Sequence, residues 1–410
     1  HIVFDGTATG LENINVNVTN NSPRQISIIA NKNDGTIENC SINNCSIKSN
    51  LSNDHENPYY VFDLKYFYDG VAGAVADNGG TIRNLDVNNI DITLNGADDY
   101  IGGVVGQNRG LVDSVSVSGI RISATSNNYY IGGIAGYNEP DDTSLGIQSC
   151  SVDMSGADGK VNNFTNGGYV GGLVGSNDGY LHNSSVTGTF GSADKTTSVS
   201  YNILGFVDAY SADLTYFGGA AGISTGVISA VTVSNVGFFS HATNSIKQSY
   251  FGGITSTVET AGSIVNCVAS GTFAASEDAK TYAGGIIGYA KDNIADAAIE
   301  NTFALYKIIN PGQDYVGAVI GWGGKASTLE NCYWSDQLSG CSVSYVQHDA
   351  FHSDLVANAE AVKGNLVSAD KAVIAPRNSS ATVTKFLVAS SFPLRIASGI
   401  SIALPRPAPT

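Results

Sequence analysis

Residues 100–119 read YIGGVVGQNRGLVDSVSVSG, and residues 169–188 read YVGGLVGSNDGYLHNSSVTG. Each stretch has an apolar residue before a glycine pair, two apolar residues and a third glycine after it, then a polar turn and a segment with alternating residues. Paired glycines destabilise a helix, whereas apolar residues at every second position are typical of a half-buried strand. The two stretches therefore predict short strands separated by tight turns.

The same register fits nine segments of the chain. They begin at Gln25, Gly70, Tyr100, Tyr130, Tyr169, Tyr216, Tyr250, Tyr282 and Tyr315, with spacings of 45, 30, 30, 39, 47, 34, 32 and 33 residues. A repeat near 30 residues with several short strands indicates a solenoid, because propeller blades need about 40 to 50 residues. We predict an all-β fold, a right-handed single-stranded parallel β-helix (β-solenoid) of about nine to ten coils with a C-terminal cap.

Two sets of small or polar residues recur at fixed places in the repeat. The glycine pairs are Gly102–Gly103, Gly132–Gly133, Gly171–Gly172, Gly218–Gly219, Gly252–Gly253 and Gly284–Gly285. We expect glycine there because a Cβ atom would clash where the backbone bends or stacked coils crowd. The following turn carries Asn33, Asn78, Asn108, Asn138 and Asn177, usually with a nearby glycine, which is typical of the left-handed backbone conformation.

Composition limits the partners of the chain. Hydrophobic residues make up 42% of the 410 residues, which is enough for a sizeable core. The formal net charge of −16 repels phosphate backbones and anionic lipids, so nucleic acids and direct membrane insertion are not expected. The sequence contains no apolar stretch of about 20 residues and no signal-peptide pattern at its start. Because Gly10, Leu11, Asn13 and Val16 fit the second half of a coil, we expect the natural start upstream of residue 1.

Two regions follow from where the register ends. We predict a solenoid over residues 1–342 and a cap with a proline-containing tail over residues 343–410. Residues 353–373 have the spacing of a short amphipathic helix followed by strands, and Pro405, Pro407 and Pro409 favour an extended tail. Three insertions, residues 50–69, 154–168 and 191–215, are expected to project from the sides of the solenoid.

The glycine-rich copies GGVVGQNRG, residues 102–110, and GGLVGSNDG, residues 171–179, resemble the GLUG motif of bacterial surface proteins. The resemblance covers roughly residues 25 to 335, and it weakens at both ends, where Gln25 starts a copy without the glycine pair and Gly317-Ala318 replaces it. Proteins with this motif include adhesins similar to the filamentous haemagglutinins and the non-catalytic part of some IgA-cleaving metallopeptidases. The resemblance implies a β-solenoid stalk on a bacterial surface, with no catalytic residues to transfer.

Cysteine and asparagine occupy adjacent positions of the repeat. Cys40, Cys150, Cys267 and Cys332 share a position filled elsewhere by Leu85, Val115 and Val231, which indicates an inward packing position. Only Cys40 with Cys45, or Cys332 with Cys341, lies close enough along the chain for a local disulfide. The preceding position carries Asn39, Asn84, Asn183, Asn266, Asn301 and Asn331, which we interpret as a hydrogen-bonded ladder at a buried turn.

Sites for metals or catalysis have weak support. His348 and His352 lie four residues apart beside acidic residues, but a loop or cap surface accounts for them, and His1 heads a truncated coil. Oxygen-rich turns such as residues 31–35 would suit calcium, although turn geometry alone explains them, so we expect no cofactor and keep calcium as the alternative. The acidic pairs Asp98-Asp99 and Asp141-Asp142 lack a basic partner, which argues against a polysaccharide lyase or glycoside hydrolase.

Aromatic residues supply the candidate binding surfaces. Residues 55–68, HENPYYVFDLKYFY, contain four tyrosines, Tyr59, Tyr60, Tyr66 and Tyr68, which either bind a partner or fold back onto the solenoid. Tyrosines at the coil starts are expected to stack as a row, with sugar-stacking platforms as the alternative. We therefore expect a non-catalytic, extracellular or cell-surface adhesin or stalk that binds a host-cell or matrix component, a polysaccharide or a sister surface protein. The alternative is a polysaccharide-degrading β-helix enzyme.

Overall fold

A computed structural model describes residues 11–12, 14–18, 25–50, 69–95, 99–124, 129–140, 142, 144–153, 168–188, 214–239, 248–259, 262–274, 280–290, 298–309, 315–317, 319–323, 328–330 and 332–334. These residues form strands and no helix, and every strand pair among them is parallel. The predicted cap and tail, the domain boundary at residue 342 and the three long insertions lie outside the described residues, apart from a few flanking positions. No helix long and apolar enough to span a membrane occurs in the described part of the chain.

Three parallel sheets run along the stack. The tyrosine sheet contains Gln25–Ser27, Asp69–Ala72, Asp99–Gly102, Tyr129–Gly132, Gly168–Gly171, Leu214–Gly218, Gln248–Gly252, Lys280–Gly284 and Tyr315–Gly317. The asparagine sheet contains Ala30–Asn33, Val75–Asn78, Val105–Asn108, Ala135–Asn138, Val174–Asn177, Ala221–Ser224, Thr255–Val258, Ile287–Ala290 and Ile320–Gly323. The wide sheet contains Leu11–Glu12, Asn15–Val18, Thr36–Asn50, Thr81–Asn95, Leu111–Asp113, Ser116–Ser118, Arg121–Ala124, Gly146–Gln148, Ser151–Asp153, Tyr180–His182, Ser185–Thr187, Val227–Ser229, Thr232–Phe239, Ser263–Val265, Val268–Ala274, Ala298–Glu300, Phe303–Ile309, Thr328–Glu330 and Tyr333–Trp334.

The predicted repeat register is confirmed across the tyrosine sheet. The paired positions of successive coils are Gln25, Gly70, Tyr100, Tyr130, Tyr169, Tyr216, Tyr250, Tyr282 and Tyr315. Coils one to nine begin at these residues. Leu11 pairs with Ile42, and Asn15 with Ser46, so residues 11–18 form the second half of a preceding coil. The described part of the chain is therefore an all-β parallel solenoid, as the sequence predicts.

Left-handed residues form the corners within the wide sheet. Asn39 and Asn44 have φ values of 56° and 54°, and Ser114 and Gly119 have values of 56° and 64° in the third coil. Each such residue interrupts the alternation of inward and outward side chains. In the third coil, for example, the consecutive residues Asp113 and Ser114 are both not buried, whereas Val115 is buried. The strand on each side can then direct its apolar residues inward without continuing straight.

The structure corrects the predicted settings of both asparagine sets, although a predicted hydrogen bond within the second set is present, from Asn84 Nδ2 to Asn39 Oδ1 at 3.1 Å. The position of Asn39, Asn84, Asn183, Asn266 and Asn301 is a left-handed corner at which these side chains are exposed or half-exposed, and not a buried turn. Asparagine occurs there because its short polar side chain tolerates a positive φ. Asn331, the sixth residue of that set, lies outside the described residues.

The buried asparagine ladder lies instead at the end of the asparagine sheet. Its members Asn33, Asn78, Asn108, Asn138 and Asn177 are strand residues, and none of these five has a positive φ. The first four donate from Nδ2 to Oδ1 of the asparagine in the next coil at 2.8–2.9 Å, and Asn177 donates to Ser224 Oγ at 3.2 Å. The ladder thus satisfies polar groups inside the corner, where the carbonyl oxygens of Gly80 and Gly110 also accept from it.

The glycine pairs lie where backbone approaches backbone. A Cβ atom on Gly172 would overlap the carbonyl oxygen of Gly219 in the next coil and lie 2.9 Å from both Val186 methyl carbons. A Cβ atom on Gly171 would overlap the carbonyl oxygen of Val174. Equivalent overlaps occur at Gly102, Gly103, Gly132, Gly133, Gly218, Gly219, Gly252, Gly253 and Gly284, and Gly285 provides the carbonyl oxygen that a Cβ on Gly253 would meet. The pair therefore permits the closest approach between coils and within the turn.

Apolar side chains from all three sheets form one core. In coils two to five it consists mainly of isoleucine, valine and leucine, whereas coils seven and eight add Phe251, Phe273 and Tyr306. The rings of Phe251 and Phe273 stack at 4.4 Å, and the hydroxyl of the buried Tyr306 has no hydrogen-bond partner. Burial raises the pKa of this phenol. The core is therefore continuous but changes from aliphatic to aromatic along the stack.

The predicted inward position of the cysteines is confirmed for three of the four. Cys150, Cys267 and Cys332 are buried, whereas Cys40 at the edge coil is only half-buried. Cys40 and Cys45 are free thiols, so the local disulfide between them does not form in this structure. The partner named for Cys332, Cys341, lies outside the described residues. These cysteines thus pack as small apolar side chains.

Candidate functional site

The aromatic segment favoured by the sequence lies outside the described residues. This holds for Tyr59, Tyr60, Tyr66 and Tyr68, and equally for His1, His348 and His352. Of the two acidic pairs, the structure describes only the strand residue Asp99 and the exposed Asp142, whose pKa is lowered by hydrogen bonds from Ser144. The candidate site must therefore be sought on the coil stack itself.

A column of tyrosines runs along the outer face of the tyrosine sheet. We call Tyr100, Tyr130, Tyr169, Tyr216, Tyr250 and Tyr282 the tyrosine column. Ring centroids of successive members lie 5.3, 5.2, 4.3, 4.5 and 4.6 Å apart, with interplanar angles of at most 23° after the first, tilted pair. The stacked row is as predicted. Because each ring face is covered by its neighbours, the faces are not platforms on which a sugar could stack.

Three phenols of this column, Tyr169, Tyr216 and Tyr250, have a raised pKa and are protonated at neutral pH. Burial, followed by the charges of neighbouring Tyr130 and Glu259, raises the pKa of Tyr169 to about 12. Burial and the neighbouring Tyr169 raise the pKa of Tyr216, and burial with Tyr216 and Tyr282 raises that of Tyr250. A protonated phenol both donates and accepts hydrogen bonds. The column thus presents ring edges and hydroxyl groups to its surroundings.

A second column lies beside the first on the outer face of the asparagine sheet. We call Tyr137, Ser176, Ile223, Thr257 and Tyr289 the middle column, since the backbone pairs them in successive coils. The two end residues of the middle column contact rings of the tyrosine column. Tyr137 stacks on Tyr100 at 4.7 Å, and Tyr289 contacts Tyr250 and Tyr282 edge-on at 5.6 and 5.7 Å. Between these two rings the column holds only smaller side chains.

A third column carries carboxylates. Two positions after the first four middle-column residues lie Glu139, Asp178, Thr225 and Glu259, which we call the acidic column. Asp178 accepts hydrogen bonds from the Tyr137 hydroxyl at 2.6 Å and from Thr225 at 2.8 Å. Burial and the hydrogen bond to Asp178 raise the pKa of Tyr137. The sequence analysis did not predict this column. It could have been found from the repeat, because each of its members directly follows the ladder position in its turn.

Polar rows on the outer face of the wide sheet mostly bond to one another. Ion pairs join Arg83 to Glu38 and Arg121 to Asp91 in adjacent coils, and on the asparagine sheet Arg109 pairs with Asp77 at 2.5 Å. Nδ1 of His182 lies 2.6 Å from Ser229 Oγ. Both residues of this last contact lie in outward rows, so it resembles the other coil-to-coil contacts.

Neither a metal centre nor an acid and base pair emerges from the described residues. They contain no group of three or more His, Cys, Asp or Glu side chains placed to hold a metal ion. Their basic side chains, where contacts are resolved, pair with carboxylates of the same or a neighbouring coil. Within the described residues, the set of three columns is the arrangement that brings phenols, hydroxyls and carboxylates together.

Comparison with known proteins finds no match for this chain among family models, curated proteins or solved structures. From its fold and the three columns, the chain is classified as a parallel β-solenoid repeat protein. It carries a regular array of aromatic and acidic side chains along one side.

Proposed function

We propose that this chain is a non-catalytic adhesin or structural stalk module of a bacterial cell surface, which binds host or polysaccharide surfaces. The observation that supports it is the unbroken register from Gln25 to Tyr315, with each coil bonded to the next. A solenoid of this kind is a stiff rod that displays side chains at fixed intervals. Resemblance of the glycine repeats to the GLUG motif supports an extracellular or cell-surface location.

Side-chain pairing between coils also favours a structural and adhesive role. Charged groups on the rod neutralise one another across a single coil step, as Arg109 does with Asp77 and Arg83 with Glu38. The exposed Arg83–Glu38 pair adds little stability, whereas Asp77 is buried and its pair with Arg109 holds that charge at a defined place on the rod. The net charge of −16 favours neutral or basic partners over nucleic acids and anionic polymers.

A binding and turnover assay tests this function. The purified chain would be offered immobilised polysaccharides and extracellular-matrix proteins, while the soluble phase is assayed for newly released reducing ends and unsaturated sugar products. We expect retention on one or more surfaces without product release. Product release above a boiled control would favour a polysaccharide-degrading enzyme. Absence of retention on every surface would contradict adhesion.

A further inference from the structure

A continuous series of ring contacts joins Trp322 in coil nine to Tyr137 in coil four. Trp322 stacks on Tyr289 at 4.8 Å with an interplanar angle of 3°, and Tyr289 contacts the tyrosine column at Tyr250, 5.6 Å away. At the other end of the column, Tyr137 stacks on Tyr100 at 4.7 Å. Successive column rings between these ends have centroids at most 5.3 Å apart. The path runs without a gap through Trp322, Tyr289, Tyr250, Tyr216, Tyr169, Tyr130, Tyr100 and Tyr137.

Every ring on this path belongs to a residue that can be oxidised. Phenols and indoles lose one electron to oxidants that leave the phenyl ring of phenylalanine unchanged. Phenylalanine lies in the core instead, where the buried Phe217 and Phe251 directly follow Tyr216 and Tyr250 of the column. The two ends of the path lie five coil steps apart, which is roughly 24 Å at about 4.8 Å for each step. That distance is too long for one electron-tunnelling step, whereas adjacent rings divide it into short ones.

Tyr137, at one end of the path, has a proton acceptor in place. Its hydroxyl donates to Oδ2 of Asp178 at 2.6 Å, and Asp178 also accepts from Thr225 at 2.8 Å. A phenol that loses an electron becomes a strong acid, so it is oxidised most readily where a base already holds the phenol proton. Tyr137 is half-buried, so its ring is also accessible from solvent. An electron vacancy that moves along the column therefore comes to rest on Tyr137.

We infer that the tyrosine column transfers oxidising equivalents along the solenoid from Trp322 to Tyr137. A radical one-electron oxidant of the reactive-oxygen class removes an electron from the Trp322 indole, whose N–H proton passes to water. Electrons then move one ring at a time towards Trp322, which regains an electron from the column and a proton from water. Tyr137 supplies the last electron, and its hydroxyl proton passes to Asp178, which leaves a neutral tyrosyl radical beside a protonated carboxyl group. This activity is independent of adhesion, because it involves no partner surface.

Pulse radiolysis of the full chain tests the transfer. Trp334→Phe leaves Trp322 as the single indole, since the chain has two tryptophans, and azide radicals oxidise indoles selectively at neutral pH. We expect the absorbance of the tryptophanyl radical to decay while that of tyrosyl radicals rises, at a rate independent of protein concentration. A nitroso spin trap followed by peptide mass spectrometry then locates the radical, and we expect the adduct on Tyr137.

A substitution within the column distinguishes transfer from direct oxidation of Tyr137. Tyr216→Phe keeps a stacked ring but removes an oxidisable residue through which the described ring contacts from Trp322 to Tyr137 must pass. We expect roughly tenfold less adduct on Tyr137, since a modest rise in the barrier slows transfer by that factor, and adduct on Tyr250 instead. Tyr180→Phe is the matched control, because Tyr180 lies on the outer face of the wide sheet, and it should match the parent.

Melting temperatures show whether each variant keeps the stacked coils, and Tyr169→Phe provides a second interruption of the column if Tyr216→Phe does not fold. Unchanged labelling of Tyr137 in a folded variant with an interrupted column would overturn the inference, because the oxidant would then reach Tyr137 directly. Decay of the tryptophanyl radical at a rate proportional to protein concentration would overturn it as well, since the electron would then come from a second molecule.

Discussion

Asparagine has two different roles in this protein, and the backbone conformation separates them. At the corners of the wide sheet Asn84 has a φ of 51° and an exposed side chain, which donates from Nδ2 to Asn39 Oδ1 of the preceding coil at 3.1 Å. In the ladder Asn108 is fully buried, accepts from Asn78 at 2.8 Å and donates to Asn138 at 2.9 Å. A buried amide without partners is costly, so the ladder depends on every coil contributing its member.

Replacing one ladder residue tests this dependence. Asn108→Ala leaves the Asn78 donor and the Asn138 acceptor without their partner inside the core, and we expect the free energy of unfolding to fall by about 3 kcal/mol. Asn84→Gly is the control, because glycine accepts a positive φ, and its effect should stay within about 0.5 kcal/mol. Chemical denaturation followed by circular dichroism measures both. Equal losses in the two variants would contradict the assignment of the buried role to Asn108.

The buried cysteines are expected to make the free energy of unfolding decrease at alkaline pH. Burial raises the pKa of Cys150 and of Cys267 to about 12, well above the ordinary value of a thiol. Because the folded state binds these protons more tightly than the unfolded state, their contribution to stability is complete below pH 9 and disappears as the pH rises towards 12. Val115 and Val231 fill the same position in other coils, which shows that valine fits there.

A double variant isolates this contribution. Cys150→Val with Cys267→Val should give a protein whose stability decreases less steeply between pH 9 and 12 than that of the unchanged chain. Urea denaturation at several pH values in that window measures the slopes. Parallel slopes for the two proteins would mean that the thiols do not carry the alkaline sensitivity.

At the scale of the strand and its turn, the glycine pair determines how closely coils stack. The second glycine of each pair lies directly against the next coil, where the carbonyl oxygen of its counterpart occupies the place of a Cβ atom. The first glycine faces the carbonyl oxygen three residues further along the chain, within its own turn. Backbone atoms cannot move aside as the end of a flexible side chain can, so a Cβ atom at either position of these pairs would force the backbone to shift. Only coils one and two, among the described coils, carry a side chain at the first position, on Ser27 and Ala72.

Adding a single methyl group at this position should be strongly destabilising. Gly172→Ala would overlap the Gly219 carbonyl oxygen and contact Val186, and we expect it to cost about 3 kcal/mol or more. Gly35→Ala provides the control in another turn, because its Cβ atom would meet nothing nearer than Asn33 Oδ1 at 3.9 Å. Thermal unfolding monitored by circular dichroism compares them. A Gly172→Ala protein that melts with the parent would contradict the close-approach explanation.

The outer face of the wide sheet changes character along the stack. In the row that begins with Ser41 and Asp86, the outward residues are polar as far as Thr232, whereas Val268 and Phe303 follow in coils seven and eight. These two are 5% and 4% exposed despite their outward register. This row is therefore polar in the first six coils and apolar and buried in coils seven and eight.

The whole molecule behaves as a one-dimensional stack, because each coil contacts mainly its two neighbours through the three sheets. Coils two and three both span 30 residues. Their last residues, Asp99 and Tyr129, pair with each other and so occupy equivalent positions in the two coils. Such a chain should tolerate the loss of one complete unit, since the remaining coils can pair in the same register.

Deletion of residues 100–129 tests this property. The deletion joins Asp99 to Tyr130, so that coil two pairs with coil four, Asn78 bonds to Asn138, and only the contacts specific to coil three are lost. We expect a folded β-protein whose melting temperature falls by about 2–4 °C for each kcal/mol of lost contacts. Deletion of residues 115–129 removes half a coil and is the control that should not fold. Equal loss of structure in both deletions would contradict independent stacking of coils.

The sequence by itself determined the solenoid, its register, the stacked tyrosine row and the inward position of the cysteines. These features depend on spacing within one coil, and the same spacing recurs often enough to be read from the chain. The tertiary structure decided which asparagines are buried, because a left-handed corner residue interrupts the period of two and changes which side chains face inward. It also placed the acidic column beside the tyrosines and covered their ring faces. Those contacts join residues from neighbouring coils or from opposite sides of a turn, and only folding brings them together.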